Sequence, residues 1–141
     1  MSLIFWDTNL FVYWMEEHPR FGEKVGWIRR RMLERRDQLC TSALTIGELL
    51  AGPYARKQDK LAERYKAALA PPHVDILPFT SETADHYARI RADRAIAPAD
   101  AIQLACAAQA QVDLFLTNDR RLSGKTVPGI QFIADLEINF L

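Results

Sequence analysis

The sequence predicts an α/β protein in which a central, mostly parallel sheet of five strands is flanked by helices in three layers. Three observations lead there. Five short apolar runs recur along the chain, stretches of helical period separate them, and the runs lack the apolar–polar alternation of half-exposed strands. Uninterrupted apolar runs are the mark of strands buried on both faces, and strands alternating with helices imply right-handed crossovers in a doubly wound sheet.

The first strand is Leu3-Ile4-Phe5-Trp6, closed by Asp7, with a short helix expected over Leu10–Met15. A longer helix over Phe21–Arg36 places Val25, Ile28 and Met32 on its inner face and arginines outside. The second strand falls near Gln38–Thr41. Helices over Thr45–Ala55 and Gln58–Ala70 follow, the latter stopped by Pro71-Pro72. A third strand near Val74–Phe79 leads to helices over Ser81–Ala95 and Pro98–Gln111. Pro98 suits the first helical position, where its missing N–H is no loss. Leu114-Phe115-Leu116 and Ile130–Ile133 are the last two strands. No repeat, low-complexity tract or linker interrupts the series, so residues 1–141 are expected to form one domain.

Hydrophobic residues make up 49% and charged residues 26%, which suits a globular protein. Lys plus Arg equals Asp plus Glu at 18 each, so any nucleic-acid binding must come from local patches rather than bulk charge. The chain opens without a basic segment before a long apolar one, and no apolar run nears the roughly 20 residues that cross a bilayer. No membrane association and a cytoplasmic location are therefore expected. Cys40 and Cys106 sit in apolar surroundings and are expected as buried thiols; His18, His73 and His86 are scattered and form no zinc set.

Four acids carry the functional argument. Asp7 follows the first strand, where an open α/β sheet binds its ligands; it could also cap the next helix. Glu48 stands three residues after Thr45, the spacing of a capping box. Asp100 lies in the first turn of its helix, favourable to the helix dipole, but among small and apolar neighbours. Asp119, in Thr-Asn-Asp-Arg-Arg, also fits an ordinary turn. Together they can gather at one rim of the sheet. Carboxylates without histidine or cysteine partners call for a hard divalent cation, Mg²⁺ or Mn²⁺, with open water positions suited to phosphoryl chemistry.

The order Asp-Thr-Asn after the first strand, Thr-x-x-Glu, Pro-x-Asp-Ala-x-x-x-Ala, then Leu-Thr-Asn-Asp resembles the PIN-domain nucleases, and within them the VapC-type toxins, from Leu3 to Ile133. The resemblance implies a PIN-like fold and a metal-dependent endoribonuclease. In it Asp7 and Asp100 bind Mg²⁺ or Mn²⁺ directly, while Glu48 and Asp119 complete the site through waters or a second ion. Thr8, Asn9 and Thr117 match positions that hydrogen-bond the acids or the phosphate. It also implies cleavage by activated water to 5′-phosphate and 3′-hydroxyl ends, a homodimer, and a cognate antitoxin that inserts an arginine near the acids. The chain departs from the family at Leu122, near which relatives often carry another Asp, and in the stretch Asp135–Leu141, which outruns the usual tail.

Arg120 and Arg121, with Lys125 beyond, could hold RNA phosphates or simply line a solvated loop. The arginines at 29–31 and 35–36 fit a wet helix face, although they could steer an RNA backbone, and Trp14, Trp27 and Tyr54 could line a partner surface or the core. Two rivals remain at this point. A haloacid dehalogenase-like phosphatase needs Asp-x-Asp, but Asn9 fills the third position and no lysine is placed. A non-catalytic PIN-like module for RNA or protein binding would not need all four acids.

Overall fold

The computed structural model describes residues 1–137. Its elements run β1 (Leu3–Trp6), α1 (Thr8–Met15), α2 (Gly22–Arg35), β2 (Gln38–Ser42), α3 (Ala43–Ala55), α4 (Asp59–Ala68), β3 (Asp75–Leu77), α5 (Ser81–Ile90), α6 (Pro98–Gln109), β4 (Leu114–Thr117), α7 (Arg120–Ser123) and β5 (Phe132–Asp135). The five strands form one sheet in the order β3-β2-β1-β4-β5, and every pairing is parallel.

Two cores lie on the two faces of this sheet. Successive strand residues point to opposite sides, so Ile4 and Trp6 join Leu116, Leu39 and the inner residues of α1 to α4, while Phe5 and Phe115 join α5 and α6. Phe5 and Phe115 are register partners in adjacent strands and stack 4.8 Å apart, 9° from parallel. Alanines at 101, 105 and 108 let α6 settle closely, and α5 packs along it, so α6 is buried around most of its girth. The chain winds leftward from β1 to β3 and then crosses back to β4. The strand order therefore reverses between β1 and β4, and the carboxyl ends of strands at such a switch point are where sheets of this kind form their ligand crevice.

Element bounds differ from the sequence reading where a local device overrides periodicity. β3 stops at Leu77 rather than Phe79 because Pro78 has no N–H for the ladder. β5 starts at Phe132 instead of Ile130, since Ile130 closes a turn onto the Val127 carbonyl. It therefore runs to Asp135, which is buried and belongs to the sheet, not to a tail; residues 138–141 of that stretch lie outside the described residues. α5 ends at Ile90, well short of Ala95, and the Asp93 carboxylate accepts the Ala95 N–H in the loop that follows. α7 was not anticipated. Pro98 does occupy the start of α6, and both cysteines are buried, with burial pushing Cys40 up to about 12 and Cys106 to about 11. No helix among the described residues is long and apolar enough to cross a membrane.

The turn into β5 depends on Gly129. Its φ is +99°, and a Cβ there would stand 2.7 Å from the Ala108 carbonyl oxygen. Gly129→Ala is expected to destabilise the fold by about 3 kcal/mol, summing left-handed strain and a backbone clash. Urea denaturation checks this, and a midpoint equal to the parent's would show that α6 can yield.

Candidate active site

Asp7 ends β1 and caps α1, so the two sequence readings of this residue are compatible. Its N–H donates to the Leu116 carbonyl at 2.9 Å, which pins it to β4. Its Oδ1 accepts the Thr8 N–H at 2.8 Å and its Oδ2 accepts the Thr117 hydroxyl at 2.9 Å. Burial pushes the carboxyl up to about 6; those hydrogen bonds oppose the rise, and the charges of Asp100 and Glu48 add to it.

Glu48 is not part of a capping box. The helix begins earlier than the sequence suggested, and Ser42 at the end of β2 caps it by accepting the Thr45 N–H. With Thr45 buried inside, the exposed Glu48 instead reaches across to α1, where its Oε1 accepts the Thr8 hydroxyl at 2.6 Å. Asp100 sits half-buried in the first turn of α6. Its carboxyl is raised by burial first and then by the charge of Asp119, with Arg121 opposing and Glu48 adding.

Asp119 does take the turn role. It caps α7 by accepting the Arg121 N–H at 2.9 Å, and its carboxylate holds the Arg121 guanidinium through Nε at 3.1 Å and Nη2 at 2.8 Å. That two-pronged pair keeps Asp119 below the ordinary carboxylate range. Thr117 joins two acids: its hydroxyl accepts the Asp119 N–H at 3.0 Å while donating to Asp7. Arg120 pairs with Glu137, and Lys125 with Asp93 at 2.8 Å, so the cations of this loop already have acidic partners. Asn9 is exposed on the first turn of α1, and Asn118 Nδ2 donates to the Tyr13 hydroxyl at 2.8 Å.

The four acids thus share one rim, each within electrostatic reach of another. Among the described residues, however, no three Asp, Glu, His or Cys side chains are gathered tightly enough to grip a metal ion by themselves. Hard oxygen donors that repel one another, loosely spaced around a crevice, fit a hydrated Mg²⁺ or Mn²⁺. Such an ion takes one or two carboxylates and keeps several waters. Sequence reasoning missed Gln103, an amide buried in α6 beside Ser42, Thr45, Thr8 and Glu48. The available signal was a polar residue one turn after Asp100 on an otherwise apolar helix.

Of the aromatic candidates, Trp14 is half-buried and meets Trp6 edge-on at 5.7 Å. Trp27 and Tyr54 are exposed, each with a lysine amine over its ring. On α2 the arginines are half-buried or exposed, Arg31 paired with Glu34 and Arg35 with Asp37.

Comparison with known proteins agrees with this architecture. The chain is similar to one in the DNA-bound VapBC2 structure from Rickettsia felis, with TM-score 0.74 and 16% identity over 94% of this chain and 98% of that one. It is similar to a chain of DNA-bound VapBC from Salmonella typhimurium, with TM-score 0.66 and 25% identity over 96% and 99%. The VapBC-5 complex from Mycobacterium tuberculosis gives 0.61 and 19% over 96% and 99%. No curated protein matches the chain by sequence. The family model described as PIN domain matches residues 4–126, nearly the whole of the sheet and the entire acidic rim, and the chain accordingly belongs to the PIN-domain family.

Proposed function

We propose that the chain is a divalent-cation-dependent endoribonuclease, the toxin of a VapBC-type toxin–antitoxin pair. The observation that carries this reading is the acidic rim: Asp7 and Asp100 are raised together by burial and by neighbouring carboxylates, a conflict that a cation relieves. Family membership and the likeness to VapBC chains support the nuclease and the toxin parts respectively.

On this reading Asp7 and Asp100 hold Mg²⁺ or Mn²⁺, with Glu48 and Asp119 completing the site. The bound cation would supply neutralisation of the scissile phosphate and acidity for the attacking water. Thr117 fixes the Asp7 carboxylate, and Thr8 fixes Glu48, so both enter the reaction already oriented. Arg121 releases from Asp119 to meet the RNA backbone, with Arg120 beside it; Asn9 lies on the same rim. A single domain, a homodimer, a cytoplasmic setting and a cognate antitoxin belong to the same proposal, with exposed Trp27 and Tyr54 available to a partner.

The test is cleavage of a labelled RNA by the purified chain with Mg²⁺ or Mn²⁺. Asp100→Asn is expected to lower kcat by on the order of 10²–10³-fold, as loss of a charge-stabilising group does. Products should carry 5′-phosphate and 3′-hydroxyl ends. Cleavage that persists in excess chelator would refute the metal-dependent scheme, and RNA binding without cleavage would favour the non-catalytic module.

A further inference from the structure

We propose that Gln103 is a positioning residue: its amide supplies the protons that leave the Thr8 hydroxyl free to point at Glu48, holding that carboxylate at the crevice. This rests on the reading of Glu48 as part of the nuclease site.

The argument is a count of protons. Gln103 is 2% exposed in a helix buried nearly all round, so its carboxamide must be satisfied internally. Its Oε1 accepts the Ser42 hydroxyl. Its Nε2 lies 2.8 Å from Thr45 Oγ1, 3.1 Å from Thr8 Oγ1 and 3.5 Å from Glu48 Oε1. Two members of the cluster only accept: the Glu48 carboxylate and the Trp6 carbonyl. Each hydroxyl brings a single proton.

The Thr41 hydroxyl donates to the Trp6 carbonyl at 2.9 Å. The 2.8 Å contact between Thr41 and Thr45 is then filled by the Thr45 proton. The Thr8 proton goes to Glu48 at 2.6 Å. The longer 3.3 Å contact between the Thr8 and Thr45 hydroxyls is then left without a proton, both oxygens can only accept, and the Gln103 amide, with two protons, is the donor that reaches both. The opposite orientation of the amide would set its oxygen against Thr8 and draw that proton away from Glu48. Ser42 prevents this. Its oxygen already takes the Thr45 N–H at the start of α3, and its own proton fixes Gln103 Oε1.

The outcome is a one-way network that ends on an exposed glutamate. A free Glu side chain on a helix surface samples many rotamers, and fixing one of them has an entropic cost. Here that cost is met on folding, before any cation or RNA arrives.

The experiment uses Mn²⁺ binding to the full chain without RNA, followed by calorimetry, with thermal unfolding in chelator alongside. Gln103→Met keeps the volume and removes the donors. It is expected to weaken Mn²⁺ binding by about 10- to 100-fold, the usual effect of losing a group that orients a ligand. In a Glu48→Gln background the same change should produce no further loss of affinity, while still lowering Tm. A purely structural role would lower Tm in both backgrounds and leave Mn²⁺ affinity at the parent's value. If Gln103→Met does not fold, Thr8→Val interrupts the same link from α1 and should reproduce the loss. Parent-like affinity in either folded variant overturns the proposal. A parent chain whose Mn²⁺ binding does not require Asp7 and Asp100 refutes the nuclease site itself. In chelated protein, the Gln103 side-chain amide protons should exchange slowly with solvent; fast exchange also overturns the assignment.

Discussion

Asp7→Asn is expected to yield a protein that is, above pH 6, more stable than its parent and, on the proposed function, far less active. The carboxyl is raised from its ordinary 3.8 to about 6, chiefly by burial. Below 3.8 the group is protonated in both folded and unfolded chains, and it contributes no pH dependence. Between 3.8 and about 6 the unfolded chain gives up its proton first, so stability falls as pH rises. Above about 6 the ionised Asp7 weakens the metal-free fold by about 3 kcal/mol, taking 1.36 kcal/mol per tenfold change in proton affinity. The rise to about 6 already includes the opposing hydrogen bonds from Thr8 and Thr117, so an asparagine that keeps the place of the protonated carboxyl gains about 3 kcal/mol at pH 8 and almost nothing at pH 4. Urea denaturation in chelator at the two pH values measures it. A variant less stable than the parent at pH 8 would mean that the carboxylate is welcome where it sits. On the proposed function, kcat for RNA cleavage falls by on the order of 10³-fold in the same variant.

Phe115→Ala is the expected extreme for the scaffold. Phe115 is fully buried, and its ring stacks on Phe5 under α6. Truncating a buried Phe costs about 3–5 kcal/mol through lost transfer and a residual cavity, and the stacked pair adds about 1 kcal/mol. Set against a total of about 5–15 kcal/mol for a typical domain, this brings the chain close to unfolding. Thermal unfolding should shift downward by more than about 10 °C. A shift of only a degree or two would show that α6 collapses into the space. On the proposed function the damage also reaches the site, because β1 and β4 are the strands whose ends carry Asp7 and Thr117.

The sheet was legible because its strands are apolar throughout: Leu3–Trp6 and Leu114–Leu116 have no alternation to mislead, and each is closed by a polar residue. Asp7 stood out as a charge abutting four apolar residues. Pro98 marked the start of α6 for a purely steric reason. The start of α3 was not legible, because Ser42 and Thr45 both offer cap chemistry three residues before a suitable partner. Burial decides between them, and burial is a tertiary property. The two-residue offset of β5 has a similar origin, since Ile130 is apolar but serves a turn made possible by Gly129. Gln103 was overlooked because glutamine is a good helix former on a wet face. Only the packing of α5 on one side and the sheet on the other turns it inward. Arg121 reads in sequence either as a phosphate ligand or as part of a solvated loop; the fold pairs it with Asp119.

The crevice has one wall on each side of the sheet. Asp7, Thr8 and Glu48 ride on the strand ends and helices of one layer, whereas Asp100 and Gln103 ride on α6 in the other. A slight rolling of α6 against the sheet therefore alters the gap between the two lead acids and strains the amide link between layers in a single motion. Substitutions along the α5–α6 seam should therefore be felt at the rim.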